Sequence, residues 1–212
     1  VAAEGCTEPI ALAYVAAKAR EVLDCEPESM RVFVSGNIVK NVKSVVVPKS
    51  GGRVGIEVSA AMGAIAGRPE KELMVIQDVS DADLARVVEF LENKPIEVNV
   101  QPTDIKLYIR VELIGGGKSA SVEIKHTHTN ITRIEKNGEV LVSRVCNDSD
   151  FNSALTDRKI LTVELIYNLA KNLDIELIRP TFEKVIELNS AIAEEGLREI
   201  WGVNLGSCIM KS

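Results

Sequence analysis

Residues 105–145, IKLYIRVELIGGGKSASVEIKHTHTNITRIEKNGEVLVSRV, decide the fold. Apolar and polar side chains alternate through Ile105 to Ile114, through Ser119 to Ile134 and through Glu139 to Val145, the period-two pattern of half-buried strands. Gly115-Gly116-Gly117 and Asn137-Gly138 separate these segments. Asn-Gly between alternating segments is the strongest short-range hairpin signal, because the tight turn needs positive φ at both central residues. The spacing therefore predicts consecutive antiparallel strands.

Working upstream, Ile96 to Val100 reads as another strand, Leu84 to Leu91 carries helical spacing, and Ser80 with Asp83 three residues later predicts a capping box. Leu73-Met74-Val75-Ile76 is a further strand candidate. Residues 71–148 are thus predicted to form a small α/β insert with an antiparallel sheet. Before it, residues 1–70 read as mainly helical. Thr7-Glu8-Pro9 predicts a helix start with Thr7 as N-cap, and Ile10 to Ala17 is apolar all the way round, as in a helix buried on every side. Met30 to Val34 alternates like a short strand, Ile38 to Val42 begins a helix, Pro48 to Gly55 is a glycine-rich loop, and Ile56 to Ala66 is a helix of small residues closed by Gly67 and Pro69. Beyond Asp150 the helical period returns, from Ile160 to Leu173 and from Phe182 to Ile192. The predicted class is α+β: a buried helical body, residues 1–70 and 149–212, interrupted by the insert at 71–148.

Composition narrows the function. The 212 residues carry 25 Lys plus Arg against 31 Asp plus Glu, a net charge of −6, which argues against nucleic acid as a partner. At 46% hydrophobic and 26% charged the chain has globular composition, and 4% aromatic residues predict an aliphatic core. No apolar run approaches the roughly 18 residues that cross a bilayer, so the reading is a soluble, cytoplasmic chain without a membrane partner. The cysteines at 6, 25, 146 and 208 form no C-x-x-C pair and suggest free thiols or lone metal ligands.

Cys6 stands out because a helix N-terminus carries partial positive charge and free amides, which favour the thiolate that binds metal or attacks carbon. A small buried hydrophobe is the other reading. His126, His128 and Asn130 are expected to alternate along one strand and share a face with Val122 and Ile124, either as a metal or substrate contact or as a hydrogen-bonded pair. Gly115 to Ser119 superficially suggests a phosphate loop, but Glu112 occupies the position of the required first glycine and a strand follows, so a hairpin turn is predicted. Asn37, Lys40 and Asn41 place polar groups beside an apolar stretch, and the Pro48–Gly55 loop offers backbone amides to an anion. Asn130-Ile131-Thr132 and Asn147-Asp148-Ser149 match the glycosylation pattern, which has no meaning in a cytosolic chain.

Gly5-Cys6-Thr7-Glu8-Pro9-Ile10-Ala11 resembles the signature of the L-cysteine desulfidase family, relatives of iron–sulfur L-serine dehydratase alpha chains. In order, Gly36 to Asn41, Pro48 with Gly51-Gly52, His128 to Ile131, and Glu195-Gly196-Leu197 ahead of Trp201-Gly202 extend the resemblance. It covers the whole chain, as the amino-terminal half of a family member. Lys49 and Ser50 depart from the Gly and Thr common in the family.

The resemblance implies α,β-elimination of L-cysteine to sulfide, pyruvate and ammonia, with an oxygen-sensitive [4Fe-4S] cluster as Lewis acid. It assigns Cys6 as one cluster ligand and leaves the others to a carboxy-terminal half. That half is the implied partner, and this chain alone is expected to be inactive and free of the cluster. His128 is the first candidate base and Glu8 the second. Thr7, Asn37, Lys40, Asn41 and Asn130 are the expected contacts to the amino-acid substrate. L-Serine dehydration, a non-catalytic amino-acid-binding module and a plain interaction subunit are the alternatives, and homo-oligomerisation is left open.

Overall fold

The first helix, α1 (Thr7–Leu23), organises the computed structural model, which describes residues 3–146, 161–200 and 204–210. Its faces are occupied on all sides. Ile10 to Ala17 are buried without exception, and Ala19 and Leu23 join them. One flank lies on the sheet and another receives α3 (Ile56–Ala66). The alanines make this approach possible, and Gly63 makes it closest: a Cβ built there would fall 1.9 Å from the Ala13 carbonyl oxygen. Asp24 then caps α1 in a left-handed conformation, donating its amide to the Arg20 carbonyl.

The sheet has six strands in the order β2-β1-β3-β4-β5-β6, formed by β1 (Ser29–Ser35), β2 (Ile96–Gln101), β3 (Tyr108–Gly115), β4 (Lys118–Lys125), β5 (Ile131–Lys136) and β6 (Glu139–Ser143). β1 and β2 pair in parallel; the remaining pairs are antiparallel. Met30, Val32 and Val34 of β1, Ile109, Val111 and Leu113 of β3, and Val122 and Ile124 of β4 are buried in the core that contains α1. Each such fully buried aliphatic side chain contributes about 1.5–3 kcal/mol. Both hairpin turns form as predicted, with Gly116-Gly117 and Asn137-Gly138 at positive φ. The class is α+β.

The core is aliphatic, with Tyr14 and Phe90 as the buried aromatics among its described members. α2 (Gly36–Val42) follows β1 directly. α4 (Asp81–Asn93) starts on the predicted capping box, in which the Asp83 amide donates to the Ser80 hydroxyl and the Ser80 amide to the Asp83 carboxylate.

Four expectations are corrected. Thr7 is the first helical residue and Cys6 takes the N-cap position, without a side-chain cap bond. Leu73 to Ile76 is not a strand: a 3-10 turn spans Pro69–Met74, and Leu73, Val75 and Ile76 are buried as a plug, held by hydrogen bonds that the Glu4 and Arg68 amides donate to the Leu73 and Val75 carbonyls. A four-residue apolar run has too little length to distinguish the two by period. Ser119 to Ile134 is two strands rather than one, since the chain turns through residues 126–130 with His126 at φ 68°. His126, His128 and Asn130 therefore do not alternate along a strand face.

The fourth concerns domain organisation. β1, from the predicted helical body, sits between β2 and β3 inside the sheet assigned to the insert. Residues 1–70 and 71–148 share one core, and the compact unit is Val1–Ser153. A second unit, Ala154–Ser212, contains α5 (Val163–Asn172), α6 (Ile175–Arg198) and α7 (Leu205–Met210). Its helices agree with the period seen in the sequence. No described helix is long and apolar enough to cross a membrane.

Candidate functional site

Three separated segments meet at the amino-terminal end of α1. Burial of Ile10 and Leu12 fixes the helix over the sheet, leaving Cys6 exposed and Thr7 and Glu8 half-buried at its mouth. Glu8 is the hub. Its carboxylate accepts hydrogen bonds from the Cys6 thiol (Sγ to Oε2, 3.2 Å), the Thr7 hydroxyl (3.4 Å) and the Asn41 amide (Nδ2 to Oε1, 3.2 Å). Asn41 reaches it from α2, 33 residues further along the chain. His128, from the turn between β4 and β5, adds electrostatic attraction to the same carboxylate.

These contacts set the protonation states. Burial by itself raises the Glu8 carboxyl, but the hydrogen bonds from Cys6, its own backbone amide and Asn41, together with nearby His128, outweigh it and hold Glu8 below the ordinary glutamate value. Cys6 moves the other way. Partial burial and the bond to Glu8 push its thiol up, although the Glu8 backbone amide at the helix start pulls it down. The helix end thus acts as anticipated, lowering the thiol, while desolvation and the neighbouring carboxylate raise it by more.

The glycine-rich loop borders the same place. Pro48 approaches Gly5, with its Cγ 3.5 Å from where a Gly5 Cβ would stand. Ser50 is fully buried; its hydroxyl both accepts from the Arg53 amide (2.9 Å) and donates to the Arg53 carbonyl (3.0 Å), which closes the loop. Lys49, at φ 62°, lies close enough to Glu4 to lower its carboxyl, although burial raises Glu4 overall. Glu4, outside the expected site residues, has its Oε1 buried without a hydrogen-bond partner among the described residues. Only its position beside Cys6 signalled it.

The other expected residues divide. Asn37 and Lys40 are on the exposed side of α2. The Asn130 amide donates to the Lys125 carbonyl (3.0 Å) and to the Cys146 sulfur (3.6 Å), so it ties the turn that carries His128. Nε2 of His128 is buried and has no hydrogen-bond partner among the described residues. The turn thus leaves one buried imidazole nitrogen without such a partner, within electrostatic range of the Glu8 carboxylate.

The residues present do not by themselves fit a four-iron cluster. Within the first unit Cys6 has no second cysteine beside it: Cys25 lies past the far end of the 17-residue α1, about 25 Å away at 1.5 Å per residue, and its thiol donates to the Gly115 carbonyl. Cys146 is engaged with Asn130. Among the described residues, no group of three or more His, Cys, Asp or Glu is placed to hold a metal ion.

The fold and site define an α+β chain with a mixed sheet, in which a buried helix presents a Cys–Thr–Glu mouth to an asparagine and a histidine. It is 60% identical over 210 residues to a UPF0597 protein of Fusobacterium nucleatum, an alignment that takes in 99% of this chain and 49% of the relative. UPF0597 proteins of Desulfitobacterium hafniense and Lachnoclostridium phytofermentans are each 43% identical, over 100% and 99% of this chain and 49% and 50% of their own lengths. The chain spans about half the length of the curated relatives it matches. No family model matches it.

Proposed function

We propose that this chain is part of a lyase that performs α,β-elimination on L-cysteine, releasing sulfide and an aminoacrylate that hydrolyses to pyruvate and ammonia. The observation that supports it is convergence: four of the five segments that carry the resemblance, Gly5–Ala11, Gly36–Asn41, Pro48–Gly52 and His128–Ile131, border one another around Glu8. A structural network alone would not need to bring those four together.

In this reading His128 takes the Cα proton through its uncommitted Nε2, and the electron pair left on Cα forms the double bond as sulfide departs from Cβ. Glu8, held ionised, is a poor base at neutral pH and instead binds the substrate ammonium. Asn41 and Thr7 orient its carboxylate. Cys6 is offered as one ligand of an iron–sulfur cluster whose remaining ligands come from outside this chain, and a reducing, cytoplasmic setting suits that thiol.

The test uses the complete protein, reconstituted anaerobically and assayed for sulfide and pyruvate from L-cysteine and L-serine. His128→Asn is expected to lower kcat by about 10²–10⁴-fold with iron content unchanged, and Cys6→Ser to remove iron and turnover together. Absence of product from both amino acids in iron-loaded protein overturns the reading.

A further inference from the structure

We propose that the apolar face of α5 and α6 is the docking surface for the half of the full-length relatives that this chain does not match. Ile175, Ile178, Phe182, Val185, Ile186 and Ile192 recur at helical spacing along the 24 residues of α6, forming one stripe interrupted by a single polar residue, Asn189. None of the residues in α5 or α6 is buried, and Phe182, Ile186 and Ile192 are 57%, 62% and 73% exposed. Leu165, Ile166 and Leu169 give α5 a similar exposed face. A helix of this length spans about 36 Å, and an apolar stripe so long is not left in water by a stable protein.

The occupant is argued from the relatives. Three aligned over nearly all of this chain leave half of their own length unmatched, so a body of comparable size is available to cover the stripe. Gly196 shows where it can come closest: it lies on the same stripe, and nothing stands within 4 Å of a Cβ built there. The polar side of α6 argues against an anionic lipid surface, because Glu176, Glu183, Glu187, Glu194 and Glu195 outnumber Arg179, Lys184 and Arg198. The inference rests on the relatives' length and on this exposed face, not on the elimination chemistry.

The experiment co-expresses this chain with the unmatched half of the Fusobacterium nucleatum relative and measures the complex by light scattering and titration. A one-to-one complex is expected. Phe182→Asp and Ile186→Asp together are expected to weaken it by about 30-fold or more, the loss of an interface hot spot, whereas Glu183→Gln and Glu187→Gln leave affinity within about threefold, as for solvated charges. Should the Asp variant lose helix content, hydrogen exchange on the unmutated chain decides: residues 163–198 gain protection on binding. No complex, unchanged exchange in those residues, or a homodimer through the stripe that persists when the other half is added overturns the proposal. Activity plays no part in the readout, so failure of the lyase reading leaves this result interpretable.

Discussion

At the residue scale, Glu8 decides the character of its neighbours. The Cys6 thiol is raised by burial and by donating to Glu8, so Glu8→Gln, which removes the charge and weakens the acceptor, is expected to lower the thiol pKa. Cys6 alkylation near neutral pH then accelerates several-fold, as a thiolate-dependent reaction should; an unchanged rate would show that burial alone sets the thiol. Tyr108 gives a second test at this scale. Burial, then the charge of Glu123 and the hydrogen bond to it, raise its phenol from 10.0 to about 12. Because the folded state holds the proton more tightly, this contribution to stability is intact below pH 10 and is lost as pH rises toward 12. Tyr108→Phe should flatten the decline over that window in urea unfolding measured at successive pH values.

At the element scale, the meeting of α1 and α3 is a contact between backbones. Gly63→Ala places a methyl group where the Ala13 carbonyl stands, and the helices must separate to admit it. A loss of at least about 1–3 kcal/mol is expected, the usual cost of overpacking a core, seen as a lower Tm with helix content largely kept. Equal stability would mean that α3 slides without cost. The turn between β4 and β5 teaches the opposite lesson about sequence period. His126, His128 and Asn130 alternate in the sequence, yet the chain reverses there through Thr127 donating to Lys125 and Asn130 donating to Thr127. Alternation over three residues is met equally by a strand and by a tight turn, whereas the long runs on either side permit only strands.

At the scale of the whole molecule, the core closes within the first unit. Its buried apolar members run from Ile10 to Ile124, with Ile131 and Ile134 packed against them. A chain of residues 1–153 is therefore expected to melt cooperatively and keep the mixed-sheet circular dichroism signal; a molten, non-cooperative transition would show that the second unit is needed for folding. The sequence by itself determined the α+β class, the two glycine turns, the buried all-round helix α1 and the Ser80 capping box, because each depends on local period, turn stereochemistry or a bond three residues away. Tertiary structure alone decided that β1 enters the sheet between β2 and β3, since strand pairing across more than sixty residues leaves no local mark. It also decided that Asn41 and His128 gather at Glu8. Which side chains meet depends on how α1 lies across the sheet, and that follows from filling the core rather than from any motif.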